Sequence, residues 1–151
     1  MARFSGEHHE TFRLEAPPER AAAHFGDLDM ITRHYGPIER AEQLDADTLR
    51  LTLQDKGMKG IRYQARYTVR YERTPGLLRW RTIESDNLWS EGEARFSAEG
   101  TGTRVDYRQR IETEIPVPRL LAKMAEGIVR NEIVGGVQAY LGRMRAACPR
   151  A

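Results

Sequence analysis

Apolar and polar positions alternate along most of this chain, and the period lengthens to a helical one in only three places. From His8 to Ala16, Phe12 and Leu14 fall on one side and Thr11, Arg13 and Glu15 on the other, the mark of a strand with one face in a core. Pro17-Pro18 ends that strand. Proline suits the first turn of a helix and Glu19 complements its positive end, so Pro18 to Phe25 reads as a short Ala-rich helix stopped by Gly26. Asp27 can cap a second helix through Leu28, Met30, Ile31 and Tyr35, until Gly36-Pro37 forbids continuation.

Six strands are predicted next. Ile38 to Leu44 is one, and Thr48 to Gln54 turns Leu49, Leu51 and Leu53 one way and Arg50 and Thr52 the other. After a turn at Asp55-Lys56-Gly57-Met58-Lys59-Gly60 comes the longest alternation in the chain, Ile61 to Tyr71, with Tyr63, Tyr67 and Tyr71 inward and Arg62, Arg66 and Arg70 outward. Thr74-Pro75-Gly76 fits a type II turn, with glycine where φ must be positive. Leu77 to Ile83 then turns Leu78, Trp80 and Thr82 inward, and Leu88 to Phe96 presents Leu88, Ser90, Gly92, Ala94 and Phe96, a set whose small members leave space in front of them. The last strand, Thr103 to Ile115, faces Val105, Tyr107, Gln109, Ile111 and Thr113 inward, and Pro116 and Pro118 close it.

A long helix from Pro118 to Met144 completes the order. At about 100° per residue, Val117, Leu120, Leu121, Met124 and Ile128 form one apolar stripe, whereas Ile133, Val134, Val137, Leu141 and Met144 form another, rotated well over a right angle. Asn131, Gly135, Gln138 and Gly142 continue the line of the first stripe. Either the helix bends or packs closely near Gly135-Gly136, the reading preferred, or this face lines a cavity with a few hydrogen-bonding groups.

A curved antiparallel sheet of about seven strands, with two short helices and one long C-terminal helix laid across it, is an α+β arrangement that encloses space. The 151 residues suit a single domain, 1–151, and no apolar run approaches the roughly 20 residues of a membrane span. The start carries no signal-peptide pattern and Cys148 is the one cysteine, so the expected location is the cytoplasm. With 24 basic and 22 acidic residues the formal charge is +2, which points to no polyanionic partner, and nucleic acid is not expected. The near-exclusive use of arginine over lysine fits a GC-rich bacterial coding sequence.

The phrase Leu14-Glu15-Ala16-Pro17-Pro18-Glu19-Arg20-Ala21-Ala22-Ala23-His24-Phe25, followed by Asp27-Leu28-Asp29-Met30-Ile31-Thr32-Arg33-His34-Tyr35, resembles the opening of the START-like helix-grip superfamily. Members include polyketide cyclases and aromatases, lipid and sterol carriers, birch-pollen-allergen-type binders and chaperone activators. His34-Tyr35 stands where such proteins often carry a tryptophan. The resemblance implies a helix-grip fold with an apolar cavity between sheet and terminal helix, and binding of a hydrophobic small molecule such as a lipid or polyketide-like compound. The alternatives are a cyclase, aromatase or dehydratase, and a chaperone-activator-like interaction module.

Residues expected to line that cavity are Phe12, Phe25, Met30 and Tyr35 from the first strand and helices; Leu51, Tyr63, Tyr67, Trp80, Gly92, Phe96, Tyr107 and Gln109 from the sheet; and Met124, Ile128 and Asn131 from the final helix. If a reaction is catalysed, Tyr67 and His34 are the candidates for moving a proton, although an inward tyrosine also serves simply to pack its ring. No metal is expected, because His8 and His9 point to opposite faces of a strand and no ligand spacing suggests zinc. No cofactor is expected either, since no Gly-rich phosphate loop follows a strand.

The outward residues form a second constellation. Arg62, Arg66, Arg70, Arg79, Arg81, Arg104, Arg108 and Arg110 share the convex face with Glu91, Glu93, Asp106, Glu112 and Glu114, and cross-strand ion pairing is preferred there over an acidic partner or transient membrane contact. Trp89 should point outward on the same face.

Overall fold

The protein, as a computed structural model, is described over residues 1–56 and 62–150. The chain forms β1 (Ala2–Leu14), α1 (Pro18–Phe25), α2 (Leu28–His34), β2 (Ile38–Asp45), β3 (Thr48–Leu53), β4 (Arg66–Thr74), β5 (Leu77–Ser85), β6 (Leu88–Glu99), β7 (Gly102–Ile115) and α3 (Arg119–Ala147). All seven strands belong to one antiparallel sheet in the order β1-β7-β6-β5-β4-β3-β2, so the first strand pairs with the last.

The element order is the one the alternation predicts, and the differences lie at the ends. β1 starts at Ala2 rather than His8, pairing from Ala2↔Ile115 to Leu14↔Thr103. Its early part carries Ala2, Phe4 and Gly6 on the buried face, a small-residue pattern too faint to read as a strand. Gly6 is needed there: a Cβ would lie 2.7 Å from Ile133 Cγ2, so only glycine lets α3 come this close to the sheet.

β4 starts at Arg66, five residues after the predicted Ile61; Ile61 itself, with most of the predicted turn before it, lies outside the described residues. The reason is a side chain standing in for a strand. Asn87 Nδ2 donates to Gln64 O at 2.7 Å and Asn87 Oδ1 accepts from Arg66 N at 3.0 Å, which takes up the backbone groups that β5 would otherwise pair.

Local chemistry explains the helices. Asp27 Oδ1 accepts from the N–H groups of Asp29 at 2.9 Å and Met30 at 3.4 Å, capping α2 as predicted. Gly26 O accepts from Arg73 Nη2 at 2.6 Å and Nε at 3.0 Å, which ties the α1–α2 corner to β4. His24 Nε2 lies 2.8 Å from Met144 O; a carbonyl only accepts, so this nitrogen carries the proton and joins α1 to the end of α3.

α3 runs unbroken past Gly135-Gly136. Its core face is Val137, Tyr140, Leu141 and Met144, with Ile133 packed against the same cluster and Ala122, Ala125 and Val129 against Ala2, Phe4 and Val117. Leu120 is 92% exposed, Met124 78% and Ile128 57%, so the first apolar stripe, apart from the buried Val117 at its start, points into solvent rather than into the fold. Asn131, Gly135, Gln138 and Gly142 continue that exposed face, and a Cβ at Gly135, Gly136 or Gly142 would meet nothing within 4 Å. Neither close packing at the glycines nor a cavity lining accounts for this face.

Candidate functional site

All six tyrosines of the chain turn toward the space between sheet and helices. Tyr67 and Tyr71 come from alternate positions of β4, Tyr107 from β7, Tyr140 from the core face of α3, and Tyr35 from the residue that ends α2. Gly36, at φ 130°, turns the backbone sharply after Tyr35, a conformation that favours glycine. Tyr35 then meets Tyr140 edge-on, ring centroids 5.4 Å apart. Trp80 stacks between Tyr71 at 6.2 Å and Tyr107 at 5.3 Å.

Polar groups thread through this aromatic wall. Tyr107 Oη donates to Gln109 Oε1 at 2.6 Å, and Gln109 Nε2 donates to Ser90 Oγ at 3.0 Å. Tyr63 Oη bonds Thr113 Oγ1, which in turn donates to Asn87 O at 3.1 Å. The Tyr67 hydroxyl is different: its residue is 3% exposed and the oxygen has no hydrogen-bond partner, even though the Tyr35 phenol is near enough to influence its ionisation. Burial pushes the Tyr67, Tyr71 and Tyr107 phenols far above the usual tyrosine range and raises Tyr35, Tyr63 and Tyr140 as well, with neighbouring phenols adding to the effect at all but Tyr35, where Tyr67, Gln109 and Ser90 oppose it. These hydroxyls are therefore neutral hydrogen-bond donors at any ordinary pH.

The partly open cavity that Tyr35, Tyr67, Tyr71, Tyr107 and Tyr140 border measures about 20 Å³. A water needs roughly 10–15 Å³ by the same measure, whereas ligand pockets run to about 300–1,000 Å³. The expected hollow is thus too small for a ligand. Its predicted space in front of Gly92 is taken by the protein itself, because a Cβ on Gly92 would lie 2.4 Å from Trp80 Cζ2.

Of the expected lining residues, Phe25, Tyr35, Tyr67, Trp80, Tyr107 and Gln109 do border the cavity. Phe12, Leu51 and Phe96 are buried elsewhere in the same core, with Met30 and Tyr63 packed against it. Gly92 lies beneath the indole of Trp80, and Met124, Ile128 and Asn131 face solvent. His34 does not reach the cavity. Its imidazole is kept neutral to lower pH than usual, first by desolvation and then by the charges of Arg33, His24 and Arg143. The cavity residues beyond the predicted lining are Ile31, Val69, Tyr71, Leu78, Ser90 and Tyr140. Tyr140 had a visible signal, since 137, 140, 141 and 144 follow the i, i+3, i+4, i+7 spacing of one helix face.

Around Tyr35 the inside meets the outside. On its outer side an open groove of about 460 Å³ runs between the α2–β2 loop and α3, bordered by Arg33, Gly36, Pro37, Gly136, Ala139 and Arg143. Tyr35 borders both spaces.

The convex face is laced with ion pairs: Arg79 to Glu93 at 3.6 Å, Arg95 to Glu93 at 3.4 Å, Arg110 to Glu112 at 3.1 Å, and Arg3 to Glu112 at 3.3 Å and Glu114 at 2.5 Å. Trp89 does point outward, under the Arg3 guanidinium at 4.7 Å. Among the described residues no cluster of His, Cys, Asp and Glu could hold a metal ion, and no helix is long and apolar enough to cross a membrane.

A sheet gripping a long C-terminal helix over a tyrosine-lined interior defines the START-like helix-grip class. The chain belongs to the family described as polyketide cyclase/dehydrase and lipid transport, which it matches over residues 6–148. Similar solved structures include the ZhuI aromatase/cyclase from a Streptomyces species, with TM-score 0.69 and 14% identity, covering 95% of this chain and 93% of that one. A protein from Thermus thermophilus has TM-score 0.60 and 23% identity, covering 95% and 99%. A START superfamily protein from Mycobacterium smegmatis has TM-score 0.59 and 15% identity, covering 93% and 97%. Identities this low establish the fold alone. Among curated proteins none matches the sequence at a significant level.

Proposed function

We propose that this protein binds a hydrophobic small molecule, aromatic and polyketide-like in character, in the tyrosine-lined interior, and that the site opens by displacement of Tyr35. One observation carries the reading: the Tyr67 hydroxyl is buried, its residue borders the cavity, and no protein group completes a hydrogen bond to it. Leaving such a group unsatisfied costs about 1–3 kcal/mol, and phenylalanine would fill the same space without that cost. A hydroxyl retained at this position makes sense if an occupant of the cavity supplies the acceptor: a single water fits there, and a carbonyl or hydroxyl oxygen on an otherwise apolar guest would take its place.

The interior favours binding over acid–base turnover. Among the described residues no carboxylate, imidazole or amine borders the cavity, and its phenols are held neutral far above physiological pH. Groups of that kind orient an oxygen but do not exchange protons readily near neutrality. The small volume is compatible with the reading because Tyr35 borders both the cavity and the outer groove, and Gly36-Pro37 next to it ends the helix that carries it.

The test is Tyr67→Phe, assayed with 2-naphthol as probe. The variant should be as stable as the parent or up to about 1–3 kcal/mol more stable, and should bind 2-naphthol several-fold more weakly. A variant that is destabilised and binds as the parent does would overturn the assignment, and so would a parent that binds no naphthol at all.

A further inference from the structure

The outer groove carries a chemistry that the interior lacks. Arg33 at the end of α2 and Arg143 on α3 face it from opposite sides, and neither guanidinium belongs to an ion pair among the described residues. The other arginines that border packed regions behave differently: Arg73 and Arg145 each meet a carboxylate, at Asp47 and Glu10. Arg143 spends only its Nε, which donates to His34 O at 2.8 Å and so satisfies one carbonyl at the C-terminal end of α2. Its Nη2 reaches across the loop to 3.8 Å from where a Cβ on Gly36 would sit. On α3 itself the small residues Gly136 and Ala139 border the groove beside Arg143. The depressed basicity of His34, to which both guanidinium charges contribute after desolvation, agrees with a local field that is positive at this mouth.

We propose that this groove is the anion-recognising entrance of the interior site, in which Arg33 and Arg143 take the carboxylate of an amphipathic aromatic acid whose apolar body passes Tyr35 toward Tyr67. This rests on the interior-binding reading above and adds the class of ligand to it. A planar carboxylate matches the forked donors of a guanidinium, and two such forks on facing elements form a clamp that a neutral molecule cannot engage. Tyr35 stands between clamp and cavity, so the acid end stays at the surface, where it keeps part of its hydration, while the ring system is desolvated.

A matched pair of probes separates the two claims. 6-Hydroxy-2-naphthoate is 2-naphthol with a carboxylate at the far end of the same ring system. The parent protein should bind the acid about tenfold more tightly than the naphthol, the scale of one charge-assisted contact. Raising salt from about 0.05 to about 0.5 M should erode that advantage. Arg33→Gln combined with Arg143→Gln should abolish it, so that the variant binds acid and naphthol alike. Because Arg143 also holds α2, Gly136→Leu provides an independent variant: nothing lies within 4 Å of a new Cβ there, so the side chain narrows the groove without disturbing the core, and the acid should bind at least several-fold more weakly. Equal binding of acid and naphthol by the parent, or an advantage that survives both arginine substitutions, would overturn the entrance assignment and leave the interior reading standing. Failure of both probes to bind would instead bring down the interior reading and this inference with it.

Discussion

The indole of Trp80 occupies the space that any side chain on Gly92 would need: a Cβ built at Gly92 falls 2.4 Å from Trp80 Cζ2 and 2.4 Å from Arg108 O. Real Cβ atoms do not approach backbone oxygens so closely, and the carbonyl belongs to β7, which pairs with β6 at Gly92↔Gln109. Glycine is thus fixed here by a neighbouring strand and an aromatic ring together.

Gly92→Ala should accordingly destabilise the protein by about 1–3 kcal/mol, the usual penalty for overpacking, and Gly92→Leu by more. Urea denaturation checks this. An alanine variant with an unchanged midpoint would show that the Trp80 ring is not packed down on β6.

The buried phenols imply a distinctive alkaline response. Each has its pKa raised above the unfolded value near 10, so the unfolded chain loses the proton first as pH rises. Stability is then fully present below about pH 10 and falls above it, by up to about 1.4 kcal/mol per pH unit for each protected phenol. Tyrosinate absorbance near 295 nm should stay low until the protein unfolds, and then appear in step with loss of far-ultraviolet circular dichroism. A gradual rise in the folded protein near pH 10 would mean that the tyrosines are accessible to water.

The two apolar stripes of α3 should differ sharply on substitution. Met144 is 0% exposed and Leu120 92%. Met144→Ala should cost about 2–5 kcal/mol, whereas a combined Leu120→Ser, Met124→Ser and Ile128→Ser variant should leave the folding free energy within about 0.5 kcal/mol per site. Thermal and chemical denaturation of the two variants settles which face grips the sheet; a strong loss in the triple variant would place the first stripe in a packed interface.

Much of this fold is legible in the residues because its signals are local. Asp27 caps α2, Gly76 takes φ 72° in the predicted turn, and the inward rows of β5, β6 and β7 are the ones that alternation marks. Two readings failed because they depend on distant partners. The small residues of β6 suggest empty space only until Trp80, on another strand, is seen to fill it. Leu120, Met124 and Ile128 look like a core face, yet the curvature of the sheet brings α3 against β1 through Ala122, Ala125 and Val129 instead. Alternation could place Tyr67 in the interior, but that no protein group completes a hydrogen bond to its hydroxyl is a three-dimensional fact.

Tyrosine-selective ¹³C labelling, with 2-naphthol titrated into the folded protein, tests the interior site most directly. The chain has six tyrosines, and if a guest enters past Tyr35, the ring resonances of Tyr35, Tyr67 and Tyr107 should shift together and saturate with one binding constant. A saturable titration that leaves Tyr67 and Tyr107 unmoved while surface resonances shift would contradict it, as would no shift at all.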